Sequence, residues 1–307
     1  MRTCEVTAFG GPEVLEPGER PNPVPAAGGV VVRIRAAAVN PTDIGTRSGG
    51  GRARMPELQP PFVLGWDLAG EVAAVGEAVT GFLPGDRVCG MIPFGRIGGR
   101  VGAYAEMAAV DSEWLAPLPA DVSFEEGATL PLNSLTARQA LDFFDLEPGS
   151  RLLVTGASGG VGGYAVRLAL EAGLYVVAMA GRDDEEWVTV LGADEVLPRG
   201  ADLKLIEPVD GVLDAVPLGP ELATPPLRNG GTIVFTRPPH PSEPNRDLNY
   251  ETVWVRPDPE ALAEMARMLA AGTLRTRVAR LLPLEQAAES HRLAERGGNH
   301  GKVVLTT

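Results

Sequence analysis

Glycines stand at positions 156, 159 and 162 of the run Leu152-Leu153-Val154-Thr155-Gly156-Ala157-Ser158-Gly159-Gly160-Val161-Gly162-Gly163. That G-x-x-G-x-x-G spacing suits one chemistry, the holding of a pyrophosphate by backbone N–H groups. A tight turn needs a conformation that glycine adopts at little cost, and side chains would keep the phosphates away from the backbone. An apolar run enters the turn and a segment of helical length leaves it. The helix start then faces the anion with unbonded donors and its positive dipole end. Gly156, Ala157, Ser158, Gly159, Gly160, Val161 and Gly162 are the candidate phosphate-binding residues, and Gly162 also lets helix and strand pack closely. The next apolar run, Leu174 to Ala180, leads into Gly181-Arg182. A site for an NAD ribose usually places Asp or Glu there. The small Gly181 and the guanidinium of Arg182 suit a 2′-phosphate instead, which favours NADPH. Asp183 and Asp184 follow at once, and either could approach a 2′-hydroxyl.

Other reactive side chains are scarce. The chain has Cys4 and Cys89, His240, His291 and His300, and two lysines, Lys204 and Lys302. There is no CxxC, HExxH or HxH spacing, so neither a four-thiolate zinc lobe nor a disulfide framework can be built. A reducing compartment is the default. Chemistry by metal, thiolate or Schiff-base lysine is disfavoured, and a bound group is expected to carry the reactive atom. The net charge of −13 over 307 residues repels phosphate backbones and anionic headgroups, so neither nucleic acid nor membrane is expected as a partner. No apolar run approaches the roughly 20 residues of a membrane span, and the N-terminal segment lacks a signal-like apolar core. The expected location is cytoplasmic.

The elements that must carry these residues fall into three stretches. Residues 1–120 read as short strands punctuated by Gly and Pro. Two Gly-rich loops, 48–51 and 95–102, read as connections or as the rim of a site. Residues 121–265 alternate apolar strand-like runs with helical segments, the pattern of a parallel sheet covered on both faces. Residues 259–271 and 284–295 read as helices, 277–281 as a strand. The closing run Lys302-Val303-Val304-Leu305 is too isolated to stand alone and is expected to return to the first β unit.

Together the motifs resemble the medium-chain dehydrogenase/reductase superfamily, in its zinc-free quinone oxidoreductase and enoyl reductase branch. The resemblance spans nearly the whole chain. It rests on Asn40-Pro41-Thr42-Asp43 with Arg47-Ser48-Gly49, on Gly65-Trp66-Asp67-Leu68-Ala69-Gly70, and on Gly85-Asp86-Arg87-Val88. Gly102-Ala103-Tyr104-Ala105-Glu106, Leu130-Pro131 with Leu135-Thr136-Ala137, and Gly301-Lys302-Val303-Val304-Leu305 complete it. It implies an α/β protein: a GroES-like β-barrel domain from residues 1–121 and 266–307, and a Rossmann doubly wound parallel-sheet domain from 122–265, with cofactor and substrate in the cleft between them. Zinc-dependent relatives place Cys near Asp43 and His-Glu after Gly65. This chain has Val39-Asn40 and Trp66-Asp67 there, so no catalytic metal is expected.

The resemblance also implies roles. Asn40 would lie beside the nicotinamide, or simply form the turn before Pro41. Asp43 would hold a polar network, or cap the following turn. Trp66 would wall the substrate pocket, or fill the barrel core. Thr136 would approach the nicotinamide ribose or carboxamide, and Asn299 the cofactor phosphates; a helix-interior Thr and a turn Asn are the plainer readings. Lys302 is open between ion pair and phosphate contact. Some quinone reductases carry Tyr where this chain has Gly45, so the proton donor is not assigned. Tyr250 and His240 are substitutes only if they leave the surface, and His291 and His300 read as helix and turn residues. The expected activity is NADPH-dependent hydride transfer to a quinone or an α,β-unsaturated carbonyl. A standalone enoyl reductase, a tailoring enzyme of secondary metabolism and a non-catalytic NADPH-binding protein share these motifs. Relatives suggest a homodimer through Rossmann strands, with 252–255 as a candidate edge.

Overall fold

The computed structural model describes residues 1–53, 55–238 and 247–307. The chain divides into two compact units. One contains Met1–Leu132, Arg256–Gly272 and Thr276–Thr307; the other contains Asn133–Val255 with Thr273–Arg275.

The first unit is β-rich. Its strands are β1 (Arg2–Val6), β2 (Leu15–Glu19), β3 (Gly29–Ala38), β4 (Phe62–Val63), β5 (Asp67–Val75), β6 (Arg87–Met91), β7 (Met107–Asp111) and β8 (Leu115–Pro117), with helices α1 (Pro41–Arg47) and α2 (Phe124–Gly127). Strands β2-β1-β4 form a small sheet, and a larger one is centred on β3. β3 pairs antiparallel with both β5 and β7, and its residues are mostly buried because covered strands need continuous apolar character. Ile34, Leu64, Leu68, Phe94 and Tyr104 form the interior of this unit.

The second unit runs from α3 (Pro131–Leu141) through β9 (Arg151–Thr155), α4 (Gly160–Glu171), β10 (Tyr175–Ala180), α5 (Glu185–Val190), β11 (Glu195–Pro198), β12 (Val209–Asp214), α6 (Pro220–Ala223), β13 (Leu227–Phe235) and β14 (Asn249–Thr252). Its sheet order is β11-β10-β9-β12-β13-β14, parallel at every pairing. Strand order reverses between β9 and β12, and ligands of such sheets bind beyond the carboxyl ends at that point. Leu153, Val177, Val212 and Ile233 on adjacent strands build its core. The edge strand is Asn249–Thr252 rather than 252–255. Val253 makes one last ladder bond, to the Phe235 carbonyl, before Arg256-Pro257 turns the chain toward the next helix.

The chain then returns to the first unit through α7 (Pro259–Ala270), β15 (Val278–Pro283), α8 (Ala287–Arg296) and β16 (Lys302–Thr306). The closing strand pairs antiparallel with the end of β3, Val304 opposite Ala38, as its isolation in sequence required. Between β10 and α5 the chain makes a 3-10 turn, Arg182–Asp184.

Candidate active site

In the second unit the turn after β9 closes on itself, Gly159 N–H donating to the Gly156 carbonyl at 2.9 Å. Ala157 N–H donates to Met179 on β10. Gly156 has φ +59°, a left-handed conformation that disfavours side chains. A Cβ on Gly162 would stand 2.2 Å from the Gly156 carbonyl oxygen and 2.8 Å from Ala157 Cα. Only glycine permits that approach of helix to turn. The first intrahelical bond of α4 runs from Gly163 N–H to Gly159 O, so Gly160, Val161 and Gly162 precede the ladder. Gly159 caps the helix without a side chain. This is a backbone cradle that one methyl would fill, and it fits a pyrophosphate.

Two further groups at the turn gave no signal in the sequence. Asn133 on α3 is buried and lies against Gly160, its Oδ1 2.6 Å from where a Cβ would stand. Asp214, at the end of β12, accepts from the Thr155 hydroxyl at 2.6 Å and from Gly219 N–H at 3.0 Å. Burial raises its carboxyl above the usual range despite these donors. It ties the loops after β9 and β12 together at the switch point. Thr136 is buried on α3.

At the end of β10, Gly181 and the exposed Arg182 are joined by Arg199. Arg199 N–H donates to the Ala180 carbonyl, and its guanidinium passes 3.7 Å from the position of a Gly181 Cβ. The sequence reading missed Arg199 because it lies past the next strand. Its only local mark is the turn Pro198-Arg199-Gly200.

In the first unit Asn40, Asp43, Asp67 and Lys302 form one polar cluster. Asn40 caps α1, and its backbone N–H donates to Asp43 Oδ2 at 2.8 Å. Its Nδ2 donates to Asp67 Oδ2 at 2.8 Å, and its Oδ1 accepts from Lys302 Nζ at 2.5 Å. Asp67 Oδ1 accepts from Leu132 N–H at 2.7 Å. Lys302 Nζ also donates to the Val39 carbonyl at 2.9 Å. Asn40, Asp43 and Asp67 are buried, and Asp43 Oδ1 has no partner. Burial pushes Asp43 up to about 7, and Asp67 adds to it, while the Asn40 N–H and Lys302 oppose. Burial likewise pushes Asp67 to about 6 against Lys302, the Asn40 amide and the Leu132 N–H. Desolvation draws the ammonium of Lys302 down, against the two carboxylates.

Trp66 packs on Phe94, ring centroids 6.1 Å apart, and lies against Gly95 of the second Gly-rich loop. Gly99 of that loop packs on Leu58, beyond the 48–51 loop. The indole Nε1 of Trp66 is buried with no hydrogen-bond partner. Asn299 Nδ2 donates to the Leu293 carbonyl of α8 at 2.8 Å, a capping contact. Tyr250 lies in β14 and stacks on Phe235. His300 sits at φ +53° in the turn before β16, and His240 falls outside the described residues. His291 is more than a helix residue. It is fully buried, accepts from Arg47 at Nδ1 (3.2 Å) and meets the Tyr104 hydroxyl at Nε2 (3.0 Å). An arginine can only donate, so Nε2 carries the proton. Burial, with Arg47 beside it, pushes His291 down to about 3. Arg47 also pairs with Glu295, which anchors α1 to α8.

Two family models match, an alcohol dehydrogenase GroES-like domain over residues 26–120 and a zinc-binding dehydrogenase domain over residues 191–305. A quinone oxidoreductase of Lama guanicoe is 32% identical, covering 99% of this chain and 97% of its own. A quinone oxidoreductase structure from Coxiella burnetii superposes with TM-score 0.89 at 27% identity, covering 100% of this chain and 99% of its own. The structure of an NAD-dependent alcohol dehydrogenase superposes with TM-score 0.89 at 34% identity over the full length of both. The residues at the zinc positions do not fit the metal that the second family model names. Asn40 offers an amide, Trp66 an indole, and Asp67 has both oxygens committed to N–H donors, with the Lys302 ammonium in the same cluster. Among the described residues no group of three or more His, Cys, Asp or Glu could hold a metal ion, and no helix is long and apolar enough to cross a membrane. The chain belongs to the medium-chain dehydrogenase/reductase superfamily, in its quinone oxidoreductase branch, and is an oxidoreductase of a fold that works with a nicotinamide cofactor.

Proposed function

We propose that the protein is an NADPH-dependent, zinc-independent oxidoreductase acting on a quinone or an α,β-unsaturated carbonyl. The observation that carries this reading is the cluster at the zinc positions. At those positions the Asn40 amide is bonded to the Asp67 carboxylate, and the Lys302 ammonium is bonded to the amide oxygen, so no free ligand set for a Lewis acid remains. Without a metal to polarise it, an isolated carbonyl is a poor hydride acceptor. A conjugated acceptor spreads the charge itself. When bound, the nicotinamide supplies the hydride. The turn 156–162 binds the pyrophosphate through its backbone, and Asn133 helps to shape it. Arg182 and Arg199 pair with the 2′-phosphate. The unpartnered Trp66 N–H is a donor for the substrate oxygen, where charge develops during the reaction. Its ring and Phe94 keep water off that oxygen. The proton that completes the reduction comes from water or a polar residue.

The test is oxidation of NADPH against a panel of quinones and enones, with NADH in a parallel arm. Turnover of a conjugated acceptor with NADPH preferred is expected. Tight NADPH binding without turnover of any acceptor would leave a non-catalytic binder. NADH preference would assign the ribose to Asp183 or Asp184, in keeping with the name of the NAD-dependent structural neighbour. A homodimer is proposed through β14, the free edge of its sheet among the described residues, beside the 56% exposed Trp254. Sedimentation showing only monomer at micromolar concentration rejects it.

A further inference from the structure

We propose that Lys302 is a positioning residue for Asn40, its ammonium holding the carboxamide in one orientation. An ammonium only donates and a carboxylate only accepts. Asn40, bonded to Lys302 at Oδ1 and to Asp67 at Nδ2, therefore has one allowed flip. The reversed amide would set donor against donor and acceptor against acceptor.

The backbone delivers the ammonium to that place. Val39 N–H donates to the Val303 carbonyl, and Lys302 N–H to the Arg277 carbonyl at 2.7 Å. Gly301 has φ +155°, and a Cβ there would stand 2.7 Å from the same Arg277 oxygen. The Gly-Lys pair thus brings the start of β16 close against β15 and fixes where the lysine departs. Its Nζ then reaches Val39 and Asn40, at the junction of β3 and α1. The alternative role, a contact to cofactor phosphate, would take the ammonium from two acceptors it already has. Its positive charge also offsets two buried carboxylates, so the cluster depends on it twice.

This rests on the reading of Asn40 as a group that orients nicotinamide or substrate, and the experiment separates the two. In protein labelled with 15N-asparagine, the Asn40 side-chain amide is identified by its loss in Asn40→Ala. Lys302→Met is expected to speed its solvent exchange by at least about tenfold. Lys302→Gln, which restores a neutral donor, should return it part of the way. In NADPH oxidation by a quinone, Lys302→Met should lower kcat on the order of tenfold, as misplacement of an orienting group does. KM for NADPH should stay within about twofold, since the phosphate turn is untouched. Adding Lys302→Met to Asn40→Ala should cost clearly less in kcat than Lys302→Met costs alone. If Lys302→Met does not fold, the Gln variant carries both readouts, with amide exchange faster than in wild type and kcat between those of wild type and Asn40→Ala. Unchanged amide exchange overturns the proposal whether or not the wild type turns over. So does a double variant slower than Asn40→Ala by the full factor of the lysine change. A wild type that reduces no acceptor removes only the proposed function, and the amide exchange still decides the role of Lys302.

Discussion

Three alanine substitutions in the phosphate turn separate what the fold needs from what the ligand needs. At Gly162 an added Cβ would lie 2.2 Å from the Gly156 oxygen and 2.8 Å from two further backbone atoms. Backbone cannot swing aside as a side chain can, so the turn and α4 must part by roughly 1 Å, at a cost of about 1–3 kcal/mol. For a domain of this size that lowers Tm by some ~4–8 °C at the middle of the range. At Gly159 the nearest atom, again the Gly156 oxygen, lies at 3.2 Å, and the backbone (φ −80°, ψ 177°) is open to alanine. Stability should therefore stay within about 0.5 kcal/mol of wild type. The methyl would nonetheless stand at the mouth of the cradle, and the Kd for NADPH should rise at least about tenfold, a loss of ~1.4 kcal/mol. Gly163→Ala is the control. Its Cβ meets Leu191 at an ordinary 3.5 Å inside α4, and it should bind normally and melt slightly higher. Thermal melts and calorimetric titration with NADPH read all three. Wild-type affinity in Gly159→Ala would refute the phosphate assignment. A wild-type Tm in Gly162→Ala would refute the close approach of helix and turn.

Replacing Arg182 and Arg199 together by Ala should lower the preference for NADPH over NADH by about tenfold or more, as lost charge-assisted bonds do. The ratio of kcat/KM for the two nucleotides reads it, and an unchanged ratio places the 2′-phosphate elsewhere. Trp66→Phe keeps the aromatic packing but removes the indole donor. It should lower kcat/KM for the acceptor by about 1 kcal/mol, roughly fivefold, and a rate equal to wild type would show that the N–H does not meet substrate. His291 takes a second ring proton only below about 3 in the folded protein, against an ordinary value of 6.5. The unfolded chain therefore binds the extra proton between these values. His291 stabilises nothing by charging, and folding stability falls as pH drops from about 6.5 toward 3, by up to ~1.4 kcal/mol per pH unit. His291→Gln, able to accept from Arg47 and donate to Tyr104, should flatten that limb in pH-resolved denaturant melts, and an identical slope in both proteins would show that His291 protonates while folded. Asp43 and Asp67, shifted upward, act in the opposite sense but equally in both proteins.

What could be read in the sequence is what neighbouring residues settle among themselves. Strand, Gly-rich turn and helix at 151–171 are a local matter of backbone stereochemistry and apolar spacing. The parallel series β9 to β13 follows from uninterrupted apolar runs, and the return of the last strand from its isolation. Partners distant in the chain could not be read. His291 meets Tyr104 187 positions away, and nothing in α8 marks which polar residue the fold will bury. Asn133 and Asp214 reach the turn only because α3 and β12 flank it in space. Arg199 is beside Gly181 because parallel strands align their carboxyl ends.

Lys302 lies between these cases. It bonds Asn40 across 262 positions, beyond any local rule, yet the composition carries a mark of it. Of 27 basic residues only two are lysines, so 25 are arginines. A chain that meets nearly every other need for positive charge with guanidinium has kept an ammonium after Gly301. The site explains the choice. A guanidinium is a broad planar fork suited to two parallel acceptors, whereas an ammonium is a compact point charge with tetrahedral donors. The acceptors here, the Val39 carbonyl and Asn40 Oδ1, belong to successive residues and are met by the same nitrogen. Arginine at 302 would have to displace the amide it is meant to hold. Lys302→Arg should therefore rescue the charge of the cluster but not the protection of the Asn40 amide. A fully protected amide in that variant would show that charge alone, and not the shape of the donor, sets the orientation.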